Sequence, residues 1–181
     1  MGHSKQSFTP LKIAVLTVSD SRDASTDTSG AYLYESAVNA GHEVTKREIV
    51  IDDIYKIRAS LSNSIADEGI QAVLVTGGTG FTARDSSPEA IIPLFDKQVE
   101  GFGELFRYLS YQEIGTSSIQ SRAIAGMANG TVIFCVPGST GACRTAWEGL
   151  IKQQLDVAHG PCNFVPHLKQ SMLQMCASRP L

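Results

Sequence analysis

The sequence predicts an α/β fold built on a mainly parallel β-sheet. Three runs, LKIAVLTV, QAVLVT and TVIFCV, are apolar on both faces, as strands are when helices cover both sides of a sheet. Each run leads into a loop rich in Ser, Thr, Gly or Asp, and helical spacing resumes further on. Strand, polar loop and helix in repetition is the rhythm of parallel α/β folds. A chain of 181 residues, 43% of them apolar, suits one domain with a full core.

Each element follows from local pattern. Residues 1–10 are polar, end in Pro10 and read as a flexible N-terminal arm. The domain proper spans 11–158 and opens with the LKIAVLTV strand. SDSRDASTDTSG is a long loop for a strand-to-helix connection. AYLYESAVNAG is a helix with Leu33, Ala37 and Ala40 on one face and Gly41 at its end. HEVTKREIVI is a strand that delivers Asp52 and Asp53, and Ile54, Ile57, Leu61 and Ile65 then form one helical stripe. QAVLVT feeds TGGTGFTARD. Ser87-Pro88-Glu89 opens a short helix, and Phe102, Leu105, Phe106 and Leu109 mark another. Ser117 or Ser118 is placed to cap a further helix containing Ile119, Ala123 and Ile124. TVIFCV is a strand, PGSTGA its loop, and the helix beyond turns Trp147, Leu150, Ile151 and Leu155 inward. Residues 159–181 form a C-terminal extension packed on the domain or on a neighbour.

In parallel sheets, ligands bind beyond the carboxyl ends of the strands. SDSRDASTDTSG, TGGTGFTARD and PGSTGA leave three such ends, and Asp52 and Asp53 mark a fourth. In Thr76–Gly80, glycines permit positive φ and close backbone approach, and successive N–H groups form a concave anion site. The competing reading is a turn needed only for packing. No lysine follows the glycines, so the loop is not a Walker A loop. Gly78, Gly80 and Ala83 match a dinucleotide fingerprint poorly, and the first strand ends in Ser19-Asp20 without glycines. Gly138, Ser139 and Thr140 precede a helix whose amino end favours anions, with Ser139 or Thr140 also available as its cap.

Asp20, Asp52, Asp53 and Asp85 all fall at strand ends or in the loops after them. A carboxylate beside a phosphate repels it unless a cation lies between, which points to Mg²⁺. Alternatively, Asp85 caps the helix after it, and Asp53 is a solvated turn residue. Arg84, Arg122 and Arg144 can clamp phosphates or form surface ion pairs. His42, His159 and His167 lack metal-ligand spacing, no GxSxG nucleophile motif occurs, and Cys135 reads as core.

These residues together resemble the molybdenum-cofactor biosynthesis family, nearest its MoaB-type branch. The resemblance rests on LTVSDS, Ser29-Gly30, VIDDI, TGGTGFTARD with SPEA, VEGFGELFRYLSYQEIGTSSIQSRA, PGSTGACRTAWE and PCNFVPHLK, and runs from about residue 11 to 170. It implies a three-layer α/β/α sandwich that binds the pterin dithiolene, molybdopterin. Adenylyltransferase members use Mg²⁺ and ATP to attach AMP to the pterin phosphate. By position, Asp52 and Asp85 take the catalytic and Mg²⁺-holding places. Ser19, Asp20, Ser29, Gly30, Gly77, Gly78, Thr79, Gly80, Pro137, Gly138 and Ser139 take the pterin- and nucleotide-binding places. The chain departs from the adenylyltransferase branch after Ser139, where it reads TGACRTAWE. A non-catalytic molybdopterin carrier of the same fold, or another nucleotide-dependent α/β enzyme, are the alternative functions.

The resemblance also implies a homotrimer, or a hexamer of paired trimers, and a downstream metal-insertion protein as partner. A charged fraction of 18% agrees with a face turned to a partner subunit. With a net charge of −3 and no basic stripe, nucleic acid is not an expected partner. No apolar run approaches the roughly 18 residues of a membrane span. Four scattered cysteines without a CxxC point to a reduced, cytoplasmic setting.

Overall fold

A computed structural model describes residues 7–169. The N-terminal arm before Ser7 and the C-terminal extension after Lys169 lie outside the described residues. Six strands form one sheet: β1 (Lys12–Val18), β2 (Glu43–Val50), β3 (Ala72–Thr76), β4 (Lys97–Gln98), β5 (Ile124–Ala128) and β6 (Thr131–Val136). Their order is β2-β1-β3-β6-β5-β4. β2, β1, β3 and β6 are mutually parallel, while β5 runs antiparallel between β6 and β4. The helices are α1 (Thr28–Asn39), α2 (Ile54–Ala66), α3 (Ser87–Ile91), α4 (Glu100–Ile114) and α5 (Thr140–Ala146). Beyond α5 the helix continues through a π-helical stretch, Trp147–Ile151, to Lys152–Gln154.

Side-chain alternation along β1 sorts the layers. Ile13 and Val15 enter one core with Leu33 and Ala37 of α1, Phe102 and Phe106 of α4, and Cys143, Ala146 and Trp147. Ala14, Leu16 and Val18 enter the other with Ile57 and Leu61 of α2 and Ala90 and Ile91 of α3. The sheet is therefore buried on both faces in a three-layer α/β/α sandwich, as its two-sided apolar runs require. From β1 the chain crosses outward to β2, then returns past β1 to β3. Right-handed crossovers in opposite directions place α1 and α2 on opposite faces. The reversal leaves a crevice at the carboxyl ends of β1 and β3, where open α/β sheets bind ligands.

One expectation is corrected. The helix expected around Ile119, Ala123 and Ile124 is instead a 3₁₀ segment, Gly115–Gln120, followed by β5. Pairing overrides the helical spacing, because Ile124–Ala128 lies against β6 in full register. Asn129 and Gly130, with φ of 46° and 69°, close a tight hairpin between β5 and β6. In addition, the described part of the tail contains a 3₁₀ turn, Val165–His167, and buries Val165 and Leu168.

The start of β1 is tied down by a neutral histidine. Leu11 N–H donates to Nδ1 of buried His42 at 3.2 Å, which requires the proton to sit on Nε2. Burial lowers the pKa of this imidazole, partly countered by Asp156. The unfolded chain therefore takes up the proton first as pH falls. Stability is full above about pH 6.5 and declines as pH drops through the depressed folded pKa. Urea unfolding is expected to show this decline between pH 7 and 5. His42→Phe should lose about 1–3 kcal/mol at pH 7 and show a smaller decline; an equal decline in the variant would remove His42 as its source.

Candidate ligand-binding cleft

A bare backbone approach builds the cleft. Gly77 N–H donates to Val136 O at 3.1 Å, and buried Thr76 bonds Pro137 O through its hydroxyl. Gly77 has φ of +103°, and a Cβ there would lie 2.1 Å from Val18 O. Gly138 also abuts it, since a Cβ on Gly138 would come 3.2 Å from Gly77 Cα. The ends of β1, β3 and β6 therefore meet with no side chain between them. Gly78, at φ +63°, has room for no Cβ either, because Ser87 Oγ and Asp52 Oδ2 stand 2.4 and 2.6 Å from that position.

The carbonyls of this loop are held from outside. Ser87 binds Gly77 O through its hydroxyl and Gly78 O through its N–H. Arg122, entering from the start of β5, donates to Thr79 O, Gly80 O and Asp85 O and pairs with Glu89. Among the described residues, the N–H groups of Gly78 and Thr79 have no protein acceptor. They belong to a cleft of about 560 Å³, within the range of small-molecule sites. Ser19, Ser29, Gly77, Gly78, Thr79, Gly80, Asp85, Pro137, Gly138 and Ser139 all line it. Asp20, Gly30 and Asp52 do not.

Those three take other positions. Gly30 packs against Asp27 and Thr17 behind the wall. Asp20 forms an exposed pair with Arg84 at 2.6 Å and accepts Asp52 N–H through Oδ1. The Arg84 hydrogen bonds, then that N–H, hold the Asp20 carboxyl below the usual carboxylate range. Asp52 is buried under Gly78, with Oδ1 accepting both Ser86 N–H and Ser86 Oγ–H. Asp53 caps α2 by accepting Tyr55 and Lys56 N–H groups. Asp85 caps nothing, which corrects one of its two sequence readings. Ser86 holds the N-cap position of α3, and the Asp85 carboxylate turns back to accept Thr82 N–H and Oγ–H. The Thr82 hydroxyl is the largest cause of its lowered pKa. Ser139 does cap α5, accepting Ala142 N–H.

The arginines are redistributed relative to expectation. None of Arg84, Arg122 and Arg144 lines the cleft. Arg84 is spent on Asp20, Arg122 on the loop carbonyls, and Arg144 lies over the Tyr32 ring at 5.7 Å. The cation that reaches the cleft is Arg22, which the sequence did not single out. It sits in the polar loop after β1 and donates to Ser29 Oγ at 2.8 Å. Thr145 and Glu113, bonded at 2.8 Å, close the opposite wall with Ser110, Ser117 and Ser118.

Among the described residues, no group of three or more His, Cys, Asp or Glu converges as a metal site. Asp52 and Asp85 nevertheless bracket the loop, one against Gly78 and one within 2.9 Å of a Cβ position on Gly80. Two carboxylates of this kind fit Mg²⁺, which commonly takes one or two carboxylates and fills its shell with phosphate and water. Cys135 and Cys143 supply no nucleophile. Burial pushes their thiols up to about 12 and about 11, so both stay protonated at neutral pH. No helix of the described residues is long and apolar enough to cross a membrane.

A doubly wound sheet with a glycine-lined cleft at its switch point defines an open α/β domain of the ligand-binding class. Residues 14–157 match the family described as a probable molybdopterin binding domain, and the chain belongs to that family. Molybdenum cofactor biosynthesis protein B of Escherichia coli (strain K12) is 57% identical over 170 residues, covering 94% of this chain and 100% of that protein. A crystal structure of a molybdenum cofactor biosynthesis protein B matches with a TM-score of 0.80 at 44% identity, over 83% of this chain and 94% of that one. The tungsten cofactor synthesizing protein MoaB from Pyrococcus furiosus matches at 0.70 and 38%, over 78% and 90%.

The glycine requirement is testable without any ligand. Gly77→Ala places a methyl on Val18 O in a backbone conformation unfavourable to alanine, and should cost at least about 2 kcal/mol in urea unfolding. An unchanged midpoint would contradict the close approach.

Proposed function

We propose that the protein binds molybdopterin in this cleft and joins AMP from ATP to the pterin phosphate, as a Mg²⁺-dependent step of molybdenum cofactor biosynthesis. The observation that carries the reading is the Gly78–Gly80 loop, which lines the cleft with the N–H groups of Gly78 and Thr79 unpaired among the described residues and Asp52 and Asp85 on its flanks. The ligand sites of the proposal remain those assigned by resemblance, with Asp20, Gly30 and Asp52 acting from positions outside the cleft lining.

In this reading the pterin phosphate oxygen attacks the α-phosphorus of ATP in line. The new P–O bond forms as the bond from the α-phosphorus to the bridging oxygen breaks, and pyrophosphate leaves. The N–H groups of Gly78 and Thr79 donate to phosphoryl oxygens that gain charge. Thr82 and Arg122 hold Asp85 and the loop in place, and Ser86 fixes the buried carboxylate of Asp52. Mg²⁺, when bound by Asp52 and Asp85, supplies positive charge to the phosphates. No enzyme-bound covalent intermediate is required.

A second reading, a carrier that binds molybdopterin without adenylylation, is favoured by one observation. Among the described residues beyond Ser139, only Gly141, Ala142 and Thr145 line the cleft, with no cation among them. Homo-oligomerisation is part of the proposal and is supported by exposed Leu105, Tyr108, Tyr111 and Ile114 on α4, with Ile119 beyond it. A cytoplasmic location and a metal-insertion partner for the product complete it.

Incubation with molybdopterin, Mg²⁺ and labelled ATP should yield labelled pterin; bound pterin without label would establish the carrier instead. Asp85→Asn should keep fold and pterin binding while lowering adenylylation by about 10² or more. Unchanged turnover would remove Asp85 from the chemistry.

A further inference from the structure

We infer that Arg22 is the side-chain receptor for a phosphate group of the ligand, with buried Asp27 positioning it through Ser29. The inference deepens the proposed function and rests on its premise that a phosphate-bearing ligand enters the cleft.

The charge count around Asp27 carries the argument. Its side chain is fully buried at the start of α1. It accepts Thr17 Oγ–H at 2.9 Å, Gly30 N–H at 2.8 Å and Arg47 at 3.0 Å. Burial alone would raise its pKa, but the Gly30 N–H, Arg47 and Thr17 together bring it below the ordinary value. Asp27 is thus a carboxylate at neutral pH, and Arg47 already neutralises it at contact distance.

Arg22 is the surplus. Its NH1 stands 4.0 Å from Asp27 Oδ1, at the limit of an ion pair, and its hydrogen bond goes to Ser29 Oγ instead. Ser29 in turn reaches Asp27 Oδ1 at 3.4 Å. The backbone of Arg22 is fixed as well, because its N–H donates to Ser19 Oγ at 3.1 Å. Asp27, Arg47 and Arg22 together leave one positive charge uncancelled. The Arg22 side chain keeps 33% exposure, and both Arg22 and Ser29 line the cleft.

Among the described lining residues Arg22 is the one cation, and two carboxylates, Asp85 and Glu113, also face the cleft. Arg22 is therefore the one charged side chain of the lining that attracts an anion lying against the glycine loop. A guanidinium with one N–H committed to Ser29 retains further donors in a planar fork, the geometry that matches phosphate oxygens. The shared chemistry is a phosphate, which either the pterin or the nucleotide can bring.

Calorimetric titration of the full chain with molybdopterin, with Mg²⁺ and ATP, and with pyrophosphate tests this. Arg22→Gln should weaken binding of at least one of these by roughly 10- to 100-fold. Arg22→Lys should recover part of the loss, and the falling affinity of the wild type with added KCl should flatten in Arg22→Gln. Ser29→Ala, with Arg22 present, should weaken the same ligand. A loss confined to molybdopterin assigns the pterin phosphate, and a loss confined to ATP and pyrophosphate assigns the nucleotide. A folded Arg22→Gln protein, judged by an unchanged urea midpoint, that binds all three with wild-type affinity and salt dependence would overturn the inference while leaving the proposed function in place. Pyrophosphate bound through Arg22 by a protein that binds neither molybdopterin nor ATP would overturn the proposed function and keep the phosphate receptor. Failure of the wild type to bind all three would overturn both.

Discussion

The carboxyl ends of β1, β3 and β6 close on one another at residue 77, where a single Cβ would strike Val18 O at 2.1 Å. Much else in the cleft depends on that missing side chain. With Gly77 bare, Gly138 can lie directly against it, and Pro137–Ser139 and Thr76–Gly80 form one continuous wall. Ser87 and Arg122 then take the carbonyls of the loop, and the N–H groups of Gly78 and Thr79 are left for a ligand. A backbone fixed in this way supplies donors that need no reorganisation on binding.

The two aspartates that bracket the loop work from different depths. Asp85 lines the cleft and is tied to Thr82, while Asp52 lies beneath Gly78 and is tied to Ser86. Asp20 links the loop ends, bonding Asp52 through its backbone and Arg84 through its side chain. The segments after three strands, β1, β2 and β3, are thereby cross-connected by polar contacts. The core can then be optimised for packing alone, and Cys135, Trp147 and Leu61 are buried without chemical duty.

Much of this was legible in the sequence. The parallel strands announced themselves as runs apolar on both faces, because a doubly covered sheet buries both sides of each strand. The loop residues lining the cleft were legible because ligand sites in such sheets lie at strand ends. The β5–β6 hairpin was missed although Asn129-Gly130 is a strong tight-turn signal. There Ile119, Ala123 and Ile124 imitate helical spacing, and only pairing with β6 decides otherwise. The roles of the arginines were illegible for a different reason. Arg22 reaches the cleft because its loop folds onto Ser29, whereas Arg122 reaches the glycine loop from the segment just before β5, far along the chain. Spacing reports neither contact.

The central claim is that the loop after β3 grips phosphate with its backbone. Amide chemical shifts of the ¹⁵N-labelled protein, followed as Mg²⁺ with ATP and then molybdopterin are added, test it most directly. The account predicts that the Gly78 and Thr79 amides move first and furthest, with saturation at the binding constant. Saturable binding that leaves both amides unmoved and shifts residues elsewhere would contradict it.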